Sequence, residues 1–288
     1  MAKNISNTKS NTLLSGTSGN DTINNGNYQQ IGGKNVTIKA FGGNDNISNN
    51  GDSVTIDGGS GNGNSWITNR GGSHVSIKSD KNTNRIINYN GKNITMVGGD
   101  GKDTLETYKG PVTMVGGKGN DSIIFRDGSE GTAIKKSSLD GGDGNDYIWN
   151  GNRYVKNITI NGGAGNDSIE NFNGAALING SAGHDYIQIG PYASLSAVNG
   201  GTGNDSIYNM GSNVTLNGGA GNDSVVNNFG NKITISGGAG NDTIYNNYND
   251  YYGKFYDDSL GYGSNVVFNY TAGDGDDTVF NYGARGCW

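Results

Sequence analysis

From Asn199 to Asn246 the chain repeats one short phrase three times. It runs N-G-G-T-G-N-D-S-I-Y-N, then N-G-G-A-G-N-D-S-V-V-N, then S-G-G-A-G-N-D-T-I-Y-N, with the aspartates at Asp205, Asp223 and Asp242. The unit is therefore 18 residues, then 19. Each unit holds a glycine turn closing on Asn-Asp, a short strand, a second small turn and another strand such as Val214-Thr215-Leu216. Self-similarity at a fixed short period constrains architecture more than any other sequence feature, because one such unit cannot bury its apolar face without stacking on its neighbours.

The G-G-x-G-N-D-x-I core recurs upstream at Asp121, Asp146 and Asp167, with looser copies at Asp45, Asp103 and Asp185. From Asp103 to Asp242 the steps are 18, 25, 21, 18, 20, 18 and 19 residues. The longer steps read as loops added at the second turn, as between Arg126 and Ser138. Two copies are degenerate. Gly58 to Ile67 keeps its glycines but has no aspartate, and Ser79 to Ile86 has lost the glycines and carries Asn84 in the acid's place. Residues 1–30 read as a tail (1–10) and a cap coil around Asp21, 31–246 as the array, and 247–288 as a C-terminal cap. That last stretch is rich in tyrosine (Tyr248, Tyr251, Tyr252, Tyr256, Tyr262, Tyr270) and closes on a final turn at Asp277. A solenoid's last coil exposes unpaired backbone, so bulky atypical ends suit it.

With 53 glycines in 288 residues, 32% hydrophobic residues and a mean hydropathy of −0.61, composition alone resembles a disordered chain. Disorder has no reason to hold apolar residues at fixed offsets, and a solenoid needs only a thin core. The net charge of −6 disfavours nucleic acid as a partner and suits a cation. No apolar run is long enough to span a bilayer. The single Cys287 excludes an internal disulfide.

Within a unit the apolar period is 2, which means strand. Ile207 points in while Ser206 and Tyr208 point out; Val214 and Leu216 point in and Thr215 out. By the same alternation an inward asparagine opens the second turn in most units: Asn25, Asn49, Asn69, Asn88, Asn150, Asn171, Asn209, Asn227 and Asn246. Buried amides require partners, and stacked coils supply them, so these residues predict an internal asparagine ladder interrupted at Thr107, Phe125 and Ile189. The fold expected is all-β, a parallel β-solenoid of coils of about 18–20 residues.

Three glycines among six residues let backbone carbonyls converge on a point. Stacked coils bring equivalent atoms to about 4.8 Å, so Asp103, Asp121, Asp146, Asp167, Asp185, Asp205, Asp223 and Asp242 line up along one edge. Two such charges repel by about 0.9 kcal/mol in water and about 3.5 at an effective dielectric of 20. No lysine or arginine recurs at a matching offset in every coil. Carboxylate and carbonyl oxygen without imidazole or thiolate is a calcium donor set.

The G-G-x-G-N-D-x-I core resembles the nonapeptide of the RTX (hemolysin-type) calcium-binding family across most of residues 16–280. The resemblance implies a right-handed parallel β-roll that binds Ca²⁺ between successive coils and belongs to a secreted protein or a bacterial cell surface. It assigns side-chain ligation to the eight aspartates above, with Asp45 and Asp277 at the looser ends, and backbone ligation to glycine carbonyls such as those of Gly200, Gly203, Gly218 and Gly221. The family commonly repeats every nine residues and binds metal on both edges. Here the second turn is a plain Asn/Gly turn, so one column of ions is expected, with gaps around Asn64 and Asn84.

Other signals carry less. The N-x-[ST] matches at Asn35, Asn93, Asn157 and Asn213 fall at the starts of strands. His74 and His184 lie far apart and no H-E-x-x-H occurs, so no protease centre and no enzyme is expected. Two readings remain: a structural, secretion or adhesin-type scaffold, or a calcium-stabilised carbohydrate- or ice-binding solenoid with a cell-surface or glycan ligand. The second would use the outward Thr37, Thr55, Thr95, Thr113, Thr159, Thr215 and Thr234 with Trp149, Tyr208 and Tyr245.

Overall fold

The computed structural model describes residues 1–27, 29–128, 134–246, 265–269 and 275–281. The tyrosine-rich stretch expected to cap the C-terminal end, and Cys287, lie outside them. The described residues contain strands and turns and no helix, and no helix there is long and apolar enough to cross a membrane. The chain divides into two units, Met1–Val155 and Lys156–Trp288, each built of coils of a right-handed parallel β-solenoid.

In the first unit the strands that follow the glycine turn form one sheet. They include Thr22–Asn25, Asn46–Asn49, Trp66–Asn69, Arg85–Asn88 and Thr104–Thr107, paired in sequence order. The strands that precede the turn, from Leu13–Thr17 to Ile134–Asp143, form a second sheet in the same way. The second unit repeats this from Ser168–Asn173 and Ala176–Ala182 to Thr278–Asn281 and Val266–Asn269. Residues 1–10 read from sequence as a tail, but Asn4–Asn7 is a strand that pairs with Thr22–Asn25 and sets Ile5 beside Ile23.

The core lies between the sheets as columns of one residue per coil. Ile23, Ile47, Ile67, Ile86, Leu105 and Ile123 stand in register on the post-turn sheet and are fully buried. Ile38, Ile56, Ile77, Met96, Met114 and Leu139 face them from the pre-turn sheet. In the second unit Ile169, Ile187, Ile207, Val225 and Ile244 repeat the first column. Burial of each such side chain is worth about 1.5–3 kcal/mol, which a thin core collects by repetition.

Positive φ explains the asparagines that begin the pre-turn strands. Asn35, Asn93, Asn157 and Asn213 have φ of 53°, 56°, 62° and 57°. Asparagine tolerates this left-handed geometry better than other side chains, so backbone geometry accounts for those N-x-[ST] matches.

Candidate metal centre

The acid of each glycine turn sits two residues before a core isoleucine, leucine or valine, so the strand's period of 2 turns it inward. Asp103, Asp121 and Asp146 in the first unit are 0%, 2% and 3% exposed, and Asp185, Asp205 and Asp223 in the second are 2%, 1% and 2% exposed. Asp45, Asp167 and Asp242 are equally buried. These carboxylates stack in register, but they lie inside the edge, where water does not reach them.

One oxygen of each is held by the backbone of the coil before. The Asp103 N–H donates to Asp121 Oδ1 at 2.7 Å and the Asp121 N–H to Asp146 Oδ1 at 2.7 Å. In the second unit the N–H groups of Asp167, Asp185, Asp205 and Asp223 donate at 2.7–2.8 Å to Oδ1 of Asp185, Asp205, Asp223 and Asp242. Asp242 donates in turn to Asp277 at 3.0 Å, and Asp21 to Asp45 at 2.7 Å. Asp21, which sequence places in a cap coil, thus stands in the same column. Its own carboxylate accepts the N–H groups of Lys3 and Thr17. Burial pushes its pKa up, but these hydrogen bonds outweigh burial and hold it below the ordinary carboxylate range.

The second oxygen is different. Oδ2 of Asp45, Asp103, Asp121, Asp185, Asp205 and Asp223 is buried with no hydrogen-bond partner. Except in the Asp45 coil, where Ala40 takes that position, each lies against the first glycine of its own turn. A Cβ on Gly98 would stand 2.5 Å from Asp103 Oδ2 and 2.5 Å from the Gly116 carbonyl oxygen of the next coil. The space that glycine leaves open is where these two oxygens converge. Gly116, Gly180, Gly200 and Gly218 repeat the arrangement for Asp121, Asp185, Asp205 and Asp223. Burial pushes the carboxyls of Asp45, Asp103, Asp146 and Asp205 up to about 6 and those of Asp121 and Asp223 up to about 7, despite the opposing backbone hydrogen bonds. Asp185 is raised by the same cause. A buried oxygen with lone pairs and no donor, beside a carbonyl, accepts a cation at little cost.

Of the glycines expected to ligate, Gly200 and Gly218 turn their carbonyl oxygens toward Asp185 Oδ2 and Asp205 Oδ2. Gly203 and Gly221 belong to a separate stack, where the Gly203 carbonyl faces Gly221 across the coils. Both have positive φ, 120° and 137°, which reserves those positions for glycine. Among the described residues no group of three or more acidic, histidine or cysteine side chains gathers at one point. The donor set is one carboxylate per coil supplemented by backbone.

Two coils of the first unit lack the acid, and the register puts Ser65 and Asn84 in its place. The Ser65 N–H donates to Asn84 Oδ1 at 3.0 Å and the Asn84 N–H to Asp103 Oδ1 at 2.6 Å. The Asn84 amide also donates to the turn carbonyls of Lys81 and Asn82, at 3.1 and 3.0 Å. Sequence already places Asn84 there; the three-dimensional pairing adds Ser65, where sequence put the gap at Asn64.

The opposite edge carries no acid column. Asn25 Nδ2 donates to Asn49 Oδ1, Asn49 to Asn69 and Asn69 to Asn88, each at 2.9 Å. Asn209 donates to Asn227 at 2.7 Å, Asn227 to Asn246 at 2.8 Å and Asn246 to Asn281 at 2.9 Å. Turn glycines complete the amides, as where Asn209 Nδ2 meets Gly211 O and Gly211 N meets Asn209 Oδ1. Thr107, expected to interrupt this ladder, continues it: its hydroxyl accepts Asn88 Nδ2 at 3.0 Å and donates to Lys109 O at 2.6 Å. Phe125 and Ile189 do replace an amide with buried apolar side chains.

A parallel solenoid with an oxygen-only metal edge defines a class of calcium-binding repeat proteins. The profile of the RTX calcium-binding nonapeptide repeat (4 copies) matches residues 9–26, 97–129, 137–152, 159–187, 199–231 and 234–247, and the chain belongs to that family. The matched stretches pass over 27–96, where Ser65 and Asn84 lie. Among solved structures the chain is similar to a hyperactive, Ca²⁺-dependent, β-helical antifreeze protein from an Antarctic bacterium. The two are 20% identical, with a TM-score of 0.61 over 96% of this chain and 83% of that one, a likeness of fold. No curated protein matches the sequence.

Proposed function

We propose that this chain is a non-enzymatic, calcium-loaded scaffold of a secreted or cell-surface protein, of the structural, secretion or adhesin type. The observation that carries this reading is the column of buried carboxylates, in which Oδ2 of Asp45, Asp103, Asp121, Asp185, Asp205 and Asp223 has no hydrogen-bond partner. Asp45, Asp103, Asp121, Asp146, Asp167, Asp185, Asp205, Asp223, Asp242 and Asp277 would supply side-chain oxygen along one edge, with glycine carbonyls such as those of Gly200 and Gly218 beside them. When bound, calcium supplies the positive charge that offsets desolvation and mutual repulsion of these acids. The chain's part is to present deprotonated oxygens in register and to exclude water from them. Circular dichroism with and without chelator tests this. Chelation is expected to abolish the strand signal or lower the melting temperature by tens of degrees; an unchanged melt would remove metal dependence.

A second reading, a calcium-stabilised carbohydrate- or ice-binding solenoid, draws on the outward face of the pre-turn sheet. In the first unit Thr37, Thr55, Ser76, Thr95, Thr113 and Ser138 form an unbroken hydroxyl column in register. The antifreeze activity in the name of the structural relative supports the same reading. In the second unit Leu177 and Ala197 break the column between Thr159 and Thr215. A glycan array and an ice-recrystallisation assay separate ice from sugar.

A further inference from the structure

The chain's own cations are unevenly placed. Of its 20 lysines and arginines, 16 lie in Met1–Val155 and 4 in Lys156–Trp288, while its 26 acids divide 14 and 12. The first unit therefore carries a formal charge of +2 and the second −8. A stack of like charges needs a counter-charge, and the second unit has few of its own.

The early turns of the first unit are completed from within. Asp21 accepts the Lys3 N–H on one oxygen and the Thr17 N–H on the other. Ser65 and Asn84 bring no charge, and the Asn84 amide satisfies the carbonyls of Lys81 and Asn82. The place of the first glycine differs too. Ala40 stands in register with Gly16, and Ser79 follows Lys78, the partner of Val97, as Gly98 follows Val97. A Cβ at Gly98, Gly116, Gly180, Gly200 or Gly218 would stand 2.2–2.5 Å from both the aspartate Oδ2 and the next coil's carbonyl oxygen. Ala40 and Ser79 carry a Cβ at that place, so the room that the later turns leave for an ion is reduced in theirs. Among the described turns up to Asn84, Asp45 alone keeps an orphaned oxygen.

From these turns a clamp runs along the outward face of the post-turn sheet into the acid coils. Glu106, in the strand Thr104–Thr107, is buried although it faces outward. Such a carboxylate is tolerated only when it is paired, and here the chain supplies the partners. Arg85 Nη2 reaches Oε2 at 3.4 Å, while Arg126 Nε and the Tyr108 hydroxyl, the latter at 2.8 Å, donate to Oε1. The Arg85 guanidinium lies 5.2 Å from the Trp66 ring and that of Arg126 5.9 Å from the Trp149 ring, both within cation–π range. Trp66 and Arg85 belong to the coils of Ser65 and Asn84; Glu106, Arg126 and Trp149 belong to those of Asp103, Asp121 and Asp146. Five successive coils are thus joined by charges the chain itself carries. The corresponding column of the second unit reads Glu170, Gln188, Tyr208, Val226 and Tyr245. That unit's one arginine, Arg285, lies outside the described residues.

We propose that the first unit is a calcium-independent block, held by self-completed turns up to Asn84 and clamped through Glu106 as far as the Asp146 coil. The second unit orders only with calcium. For the second unit this rests on the calcium scaffold above; for the first it does not. The device confines the ion's control to one part of the chain, so the protein is part folded before it meets calcium.

The test uses the full chain carrying Trp288→Phe, so that tryptophan emission reports Trp66 and Trp149, both in the first unit. In chelator, far-UV circular dichroism is expected to show a first melting step far below the calcium-loaded one, while tryptophan emission melts close to its calcium-loaded temperature. Limited proteolysis in chelator is expected to leave a fragment ending near Val155. Glu106→Gln should cut that fragment's resistance at least about tenfold in chelator. The loss should be smaller in saturating calcium, where ions hold the Asp103, Asp121 and Asp146 turns as well. Arg126→Lys should weaken resistance several-fold and stands in should the first variant misfold. Emission and strand signal lost in one early step overturn the proposal and leave the calcium scaffold standing. A surviving fragment from the second unit overturns it too, as does wild-type resistance in both variants. Neither signal shifting in chelator overturns the scaffold itself and removes the contrast between the units.

Discussion

The coils at Ser65 and Asn84 and the coils at Asp103 and Asp121 are neighbours in one unit with one backbone path, yet they answer the same electrostatic problem differently. In the acid coils a buried Oδ2 faces a glycine carbonyl with no donor between them. In the Asn84 coil an amide nitrogen points back at the turn and donates to two of its carbonyls. Ser65 does the same more weakly, its hydroxyl reaching Gly58 O at 3.4 Å. The turn carbonyls need positive charge, and a coil obtains it from an ion or from an N–H. The amide solution needs nothing from solution; the carboxylate solution makes stability depend on what solution contains.

The largest effect that would break this comparison is seen on removing calcium. Hydrogen exchange in chelator is expected to lose protection first around Asp185, Asp205 and Asp223, and last around Ile67 and Ile86, whose coils carry Ser65 and Asn84. Uniform loss along the first unit would show that the amide turns are no more independent than the others.

Acidity sharpens it next. The native carboxyls of Asp45, Asp103, Asp146 and Asp205 lie at about 6, and those of Asp121 and Asp223 at about 7, above the ordinary 3.8. In chelator the folded chain therefore binds more protons than the unfolded chain between these limits. Its stability is fully present below about 4 and is lost as pH rises through 6 to 7. With calcium the trend reverses over the same window, because ligation requires the deprotonated acid. Melting temperatures with and without calcium should coincide near pH 4, where the acids are protonated, and diverge as pH rises to 8.

The smallest expected effect comes from exchanging the two solutions. Asp121→Asn keeps the acceptor for the Asp103 N–H and removes the orphaned charge. It is expected to lower calcium stoichiometry by about one, yet to stabilise the chelated chain by about 1–3 kcal/mol. Asn84→Asp should do the opposite on both counts. Calorimetric titration and chemical denaturation read the pair, and equal signs in chelator would end the comparison.

Much of this was legible in the chain. Alternation around Ile207 and Val214 assigned faces correctly, and the inward asparagines foretold a ladder that Asn209, Asn227 and Asn246 form. Thr107 departs from the expected interruption because a hydroxyl continues an amide ladder when a carbonyl such as that of Lys109 lies within reach. The strand at Asn4–Asn7 is not legible in the sequence, because polar Asn4 and Ser6 hide a period of 2 that becomes visible only against Ile23.

By itself the sequence determined the repeat, the inward and outward sets, and the alignment of the acids, since period 2 and a fixed step are local properties of a strand. Only the tertiary structure decided that those acids are buried, that one oxygen is held while the other is orphaned, and that Asn84 turns its amide where Asp103 turns an oxygen. The physical reason is distance along the chain. The contacts along the acid column join residues 18 to 35 positions apart, so they exist only once one coil lies on the next, while the Asn84 amide meets carbonyls two and three positions away that only the turn's conformation brings within reach.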